Sequence, residues 1–284
     1  MTTKILGLVD GSIYAQSVCD HAAWAARQLA LPVELLHVLG RREAIEQQDL
    51  SGTIRLGARS ALLSELTELD EKRAKLVMQR GKAILEDAVS SVKADGVDQV
   101  TMRLRHGDLV EGVTSVEATS AMVVVGKRGE AADFAKGHPG SNMERIARSV
   151  SKPVLVVPRR HQPVKRVLVA FDGGQSAKNA ASYAASSGLF KDADVLLVFV
   201  GGADRSTGDG LEQARLGFEN HGIAAITKRV NGHASEALVK IIGDDACDLV
   251  VMGAHGHSAI RRLIIGSTVT EVLQSSRVPV LLVR

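Results

Sequence analysis

The chain contains one motif order twice. Lys4–Asp10 reads KILGLVD and Arg166–Asp172, 162 positions later, reads RVLVAFD. Leu35–Val38 (LLHV) meets Leu197–Val200 (LVFV) at the same offset. Further along, Met122–Gly129 (MVVVGKRG) corresponds to Leu249–Gly256 (LVVMGAHG), and Pro153–Val157 (PVLVV) to Pro279–Val283 (PVLLV). Four apolar strand signals recurring in order define two copies of one folding unit. Each copy alternates short Val/Leu runs with longer helix-prone stretches, the pattern of a parallel sheet covered by helices on both faces. The expected fold is therefore α/β, with two repeated, doubly wound domains.

Composition narrows this further. Of the 284 residues 45% are hydrophobic but only 3% aromatic, so the core must be built from Val, Leu, Ile and Ala. That favours parallel strands buried on both faces over a β-sandwich. The net charge of +3 gives no reason to expect nucleic acid as a partner. Cys19 and Cys247 form no CxxC pair, so both are read as buried small residues rather than metal ligands or a disulfide. The first strand pattern begins at Lys4, leaving no room for a signal peptide, and no apolar run approaches the ~20 residues needed to span a bilayer. A cytoplasmic protein is expected.

The polar segment around 159–163 separates the copies, so the expected domains are 1–158 and 164–284. Strands are expected near Ile5–Val9, Val33–Val38, Val100–Arg105, Met122–Val125 and Val154–Val157. In the second copy they fall near Val167–Phe171, Val195–Val200, Ala224–Val230, Leu249–Met252 and Val280–Val283. Val38 and Gly126 are 88 positions apart, against 53 for Val200 and Gly253. The excess falls at 41–75, a polar stretch expected to form an added helical excursion over the first domain.

Open α/β sheets bind ligands at the carboxyl ends of their strands. In the second copy Gly253-Ala254-His255-Gly256-His257 follows the fourth strand, and Gly266-Ser267-Thr268 opens the next helix, giving G-x2-G-x9-G-S-T. Glycine lets backbone approach a phosphate closely. Ser267 and Thr268 lie in a first helical turn, where free N–H groups and the dipole favour anions. Asp172, ending the first strand, can accept from a ribose hydroxyl or sit near an adenine edge, and Val200, ending the second, can wall a base. Acid, wall and loop together fit a mononucleotide. The loop is neither a Walker P-loop nor a Rossmann fingerprint.

On these residues the chain resembles the universal stress proteins of tandem-domain type. The resemblance rests on Asp10/Asp172, on Val38/Val200, and above all on the glycine-hydroxyl motif at Gly253–Thr268. It implies a Rossmann-like, adenine nucleotide α-hydrolase-like sheet of five parallel strands per domain, with ATP, accompanied by Mg²⁺, as the cofactor. It also implies association through the last strands, Val154–Val157 and Val280–Val283, as a dimer within one chain, and leaves room for a homodimer and a protein partner. The first copy departs from the motif. Ten residues, not nine, separate Gly129 from Gly140-Ser141, and Asn142 replaces the second hydroxyl. Within and after the Gly126-Lys127-Arg128-Gly129 turn, Lys127, Arg128 and Lys136 would favour a polyphosphate, yet a shifted loop can equally be closed.

Other chemistries fit less well. His255 and His257 have no acidic or cysteine partner at ligand spacing, which argues against zinc. Ser12 and Ser176 lack a partnered His and Asp and read as helix-start caps. His21, His37 and His106 read as core or surface histidines. No arginine finger or water-orienting carboxylate accompanies the loop, so any hydrolysis would be slow, with His255, Arg261 and Arg262 the local groups able to assist. Adenylate-forming chemistry is only faintly echoed by Asp172-Gly173-Gly174-Gln175-Ser176, and a scaffold without nucleotide is the plain alternative. The expected function is an ATP-binding stress or signalling module.

Overall fold

A computed structural model describes residues 3–40, 56–130, 141–202, 205–254 and 265–284. Ten strands form one sheet: β1 (Lys4–Leu8), β2 (Val33–Leu39), β3 (Val100–His106), β4 (Ser120–Gly126), β5 (Val154–Val157), β6 (Arg166–Ala170), β7 (Asp194–Val200), β8 (Ala225–Val230), β9 (Leu249–Gly253) and β10 (Val280–Val283). Their spatial order is β3-β2-β1-β4-β5-β10-β9-β6-β7-β8. Every pairing within a half is parallel. The one antiparallel pairing joins the halves, with Leu281 opposite Leu155, Val280 opposite Val156 and Leu282 opposite Val154. The expected five-stranded units and the pairing of last strands are both present.

Helices α1 (Ala15–Leu29), α2 (Leu56–Ala94), α5 (Gln175–Ser186) and α6 (Arg205–Glu219) cover one face. Helices α3 (Leu109–Glu117), α4 (Ser141–Ser149), α7 (Ala234–Asp244) and α8 (Ser267–Ser275) cover the other. Period-two alternation along the strands explains the division. Ile5, Leu35, Val124, Leu155 and Leu281 pack on the first layer, and Leu6, Leu36, Val123, Val154 and Leu282 on the second. Both layers run unbroken across the β5–β10 seam. Trp24 of α1 also meets Phe190, which follows α5, at 6.2 Å between ring centroids, so the halves touch above the sheet as well. Cys19 and Cys247 are buried, and burial pushes their thiols up to about 12 and about 11.

The expected excursion at 41–75 takes a simpler form. Residues 41–55 lie outside the described residues, while 56–75 belong to α2, a single 39-residue helix ending at Ala94. Its second-half counterpart, α6, has 15 residues. Gly81, Leu85, Ala88 and Val92 form its buried stripe at i, i+4, i+7 and i+11. Residues 65–80 project beyond that stripe and are mostly exposed.

The segment between the halves is anchored to α1. The His161 ring meets the buried His21 ring edge-on, with centroids 4.6 Å apart. His21 Nδ1 donates to the Ser17 carbonyl at 2.7 Å. Its Nε2 has no hydrogen-bond partner among the described residues. Burial depresses the His21 imidazolium to about 4, more than the Ser17 bond can offset, and the His161 ring adds to the depression. In the unfolded chain His21 titrates near the ordinary value of 6.5. Between pH 6.5 and 4 the unfolded state therefore binds more protons, and stability falls as pH is lowered through that window. His21→Leu should flatten this dependence by up to about 3 kcal/mol. Urea unfolding of both proteins at about pH 7 and about pH 4.5 measures it, and equal pH slopes would show that His21 does not control acid stability.

Candidate functional site

In each half the strand order reverses direction between the first and fourth strands. The helices that follow β1 and β6 lie on one face and those that follow β4 and β9 on the other, so the carboxyl rim has a switch point between these strands, where open α/β sheets bind ligands. Asp10 and Asp172 occupy equivalent places beside these switch points. The Asp172 Oδ1 accepts from the Gly174 N–H at 2.8 Å, closing the turn into α5. The Asp10 Oδ1 accepts from the Ser12 N–H at 3.1 Å, and its Oδ2 from the Glu130 N–H at 3.1 Å. Both acids thus organise a turn, and Asp10 also ties the β4 loop to the β1 loop.

Gly126 and Gly253 end the fourth strands under the first turn of the neighbouring helix. A Cβ on Gly126 would lie 2.8 Å from Tyr14 Cβ, and one on Gly253 would lie 2.7 Å from the Ser176 backbone carbon. Close helix-to-strand packing alone therefore requires glycine at both positions. Gly129 lies against Asp10, where a Cβ would come within 2.9 Å of Oδ2.

In the second half the end of β9 and the start of α8 are joined. The Gly266 N–H donates to the Ala254 carbonyl at 3.4 Å, and the Ala254 N–H to the Val283 carbonyl at 2.8 Å. These bonds hold the start of α8 at the carboxyl rim beside the end of β9. Gly266 is the N-cap and supplies no side-chain acceptor. Ser267 is exposed and Thr268 half-buried. Val200, half-buried, ends β7 at the same rim. His255, Gly256 and His257 lie outside the described residues, as do Arg261 and Arg262.

The first half is built differently. Ser141 and Asn142 open α4 and are exposed, whereas Gly140 lies outside the described residues. Val38 sits at the end of β2, with Gly112 of α3 packed close enough that a Cβ there would reach it at 3.1 Å. Arg80 of α2 pairs with Glu130, and the pair lies over the β1 loop. A Cβ on Gly11 would be 2.7 Å from Arg80 Nη2 and 3.1 Å from Glu130 Oε2. Beside the pair is a cavity of about 190 Å³ lined by His37, Arg73, Val77 and Ile84 among others. His37 is a buried rim histidine whose Nδ1 donates to the Val9 carbonyl at 2.8 Å. Arg80 and Glu130 escape a motif search because they lie 50 residues apart and meet only through the length of α2.

Lys127, expected to favour a polyphosphate, is engaged elsewhere. Its ammonium donates to the carbonyls of Gln274 and Ser276 at 2.9 Å each, at the carboxyl end of α8 in the other half. Burial and the nearby Arg128 guanidinium press its pKa down to about 8, so it is mostly protonated at neutral pH. The reverse tie exists too. The Arg284 guanidinium, after β10, donates to the carbonyls of Ala147 and Arg148 at the end of α4. Each half thus places a cation on the negative end of the other half's last helix.

Two features define a class: a parallel sheet with strand order 3-2-1-4-5 in each half, and a glycine-led helix start at the switch point of the second half. The universal stress protein family model matches residues 1–158 and 201–284. The chain is 39% identical to a universal stress protein of Synechocystis sp. over 288 residues, covering 99% of both chains. It is 26% identical to one of Mycobacterium tuberculosis over 310 residues, covering 98% of this chain and 95% of the relative. The crystal structure of a universal stress protein from Archaeoglobus fulgidus shares the fold with a TM-score of 0.73 at 19% identity, covering 99% of this chain and 98% of that one. The chain belongs to the universal stress protein family, in its tandem two-domain form. Among the described residues no helix is long and apolar enough to cross a membrane.

Removing the cross-half cation tests the geometry. Lys127→Met should destabilise the protein by about 1–2 kcal/mol, because two helix-end carbonyls lose a charged donor. Urea unfolding at neutral pH reads the loss. Stability equal to wild type would mean that solvent serves those carbonyls equally well.

Proposed function

We propose that the chain is an adenine-nucleotide-binding stress or signalling module, with ATP held mainly by the second half. In this reading domains 1–158 and 164–284 act through the seam between them, and 159–163 is the linker. Membership of the universal stress protein family supports the ligand class. The observation that carries the assignment is the Gly266–Ala254 hydrogen bond, which holds a helix start without a side-chain cap at the sheet's switch point. First-turn amides there need an acceptor, and a phosphate tail supplies one. The Ser267 and Thr268 hydroxyls add donors. Mg²⁺ would neutralise the tail, Asp172 would accept from the ribose, and Val200 would wall the base. The protein's part is to bind and orient the nucleotide, with turnover slow at most and the output a change in partner binding.

A different role for the first half is favoured by its Arg80–Glu130 pair. Asp10 accepts from the Glu130 backbone, and the pair covers the β1 loop where a nucleotide would approach. That half then serves as scaffold, even though Asp10, Val38, Gly126, Gly129 and Ser141 have counterparts in the second half; Asn142 stands where the second half has Thr268.

Mg·ATP in large excess should raise the melting temperature of the wild-type protein, by the equivalent of about 2.7 kcal/mol at about one hundred times Kd. Gly266→Trp fills the turn with an indole and should abolish the shift, and Thr268→Val should reduce it. Gly129→Trp, in the first half, should leave most of it. An undiminished shift in Gly266→Trp would move the site elsewhere, and no shift in any of the proteins would favour the nucleotide-free scaffold.

A further inference from the structure

Helix α2 carries an outward face that no described residue covers. Its buried stripe runs through Gly81, Leu85, Ala88 and Val92. Leu76 lies nine residues before Leu85, about two and a half turns, and so points to the opposite side of the helix. Leu69 lies seven residues earlier and returns to nearly the same side. Leu76 is 64% exposed and Leu69 is 54% exposed. Charge along this stretch is divided into blocks. Residues 65–71 hold four acids (Glu65, Glu68, Asp70 and Glu71) and no base. Residues 72–82 hold five bases (Lys72, Arg73, Lys75, Arg80 and Lys82) and no acid.

We propose that this face is a self-association surface, and that its occupant is the α2 helix of a second copy of this chain, packed antiparallel. Complementarity selects both the partner and the direction. A parallel pairing would set acid block on acid block and base block on base block. An antiparallel pairing sets each acidic block against the other copy's basic block and also opposes the helix dipoles favourably. With Leu69 of one copy over Leu76 of the other, Glu68 faces the second copy's Lys75, and the twofold axis generates that pair twice. Within its own helix Glu68 lies 4.0 Å from Lys72, an exposed contact that can share the carboxylate. The contact area is small, so the dimer is concentration-dependent and weakened by salt.

Sedimentation velocity on the full chain, over a range of concentration and salt, tests the assignment. The wild type should show a monomer–dimer equilibrium that shifts toward monomer in high salt. Leu76→Asp should remove the dimer. Glu68→Lys and Lys75→Glu should each weaken it by about tenfold, since each turns two attractive contacts repulsive. An equimolar mixture of these two variants should recover wild-type association, because in the mixed dimer both contacts between positions 68 and 75 again join opposite charges. All the substituted side chains are exposed, and circular dichroism should confirm unchanged folding. A chain that stays monomeric at every concentration overturns the proposal. So does a dimer indifferent to these substitutions, or a mixture that fails to recover association.

Discussion

The pairing of β5 with β10 is the contact on which the rest of the molecule depends. Each half ends its sheet in a strand of four buried aliphatic residues, VLVV or VLLV. Such a strand left at an edge would expose both its unpaired backbone groups and its side chains, an invitation to aggregation. Pairing the two removes both edges at once and makes both side-chain layers continuous, one from α2 to α6 and the other from α3 to α7. The edges that remain, β3 and β8, are of another kind. They carry Arg103 and Arg105 or Lys228 and Arg229, charges suited to an edge exposed to water.

An antiparallel seam between parallel halves has a geometric consequence. The carboxyl rim of one half adjoins the amino rim of the other. A helix that begins at its own half's carboxyl rim therefore ends near the other half's carboxyl-rim loops. This is why Lys127, in the loop after β4, reaches the last carbonyls of α8. It is also why Arg284, after β10, reaches those of α4. The ties follow from the topology, and each carries a charge that the helix dipole favours.

The strands, their order of use and the long-range repeat are legible in the sequence because buried parallel strands read as uninterrupted Val/Leu runs. Each expected strand falls within about two residues of the observed one, the usual precision of boundaries read from pattern. Less is legible where meaning depends on what lies across the fold. The full extent of α2 is hidden because its polar residues before 81 look like a separate excursion, although the helix runs without a break into the buried stripe at Gly81–Val92. For Lys127 the only local cue is adjacency to glycines, which points to phosphate. Its real acceptors lie 147 and 149 residues away. Arg80 and Glu130 carry no local signal at all.

The glycines themselves teach a narrower lesson. At Gly126 and Gly253 the absent Cβ makes room for Tyr14 and Ser176, so the two halves need glycine there whether or not either binds a ligand. What separates the halves is what lies near the β1 and β6 turns and how the last helix begins. In the first half a guanidinium–carboxylate pair lies over Gly11, and the acid of the strand end is committed to a loop amide. In the second, Asp172 closes its own short turn, and α8 begins on a glycine whose amide is tied to the strand end. A phosphate-sized anion needs donors that the chain has not already satisfied, and among the described residues no side chain caps the start of α8, so geometry as well as motif bears on the site proposed there.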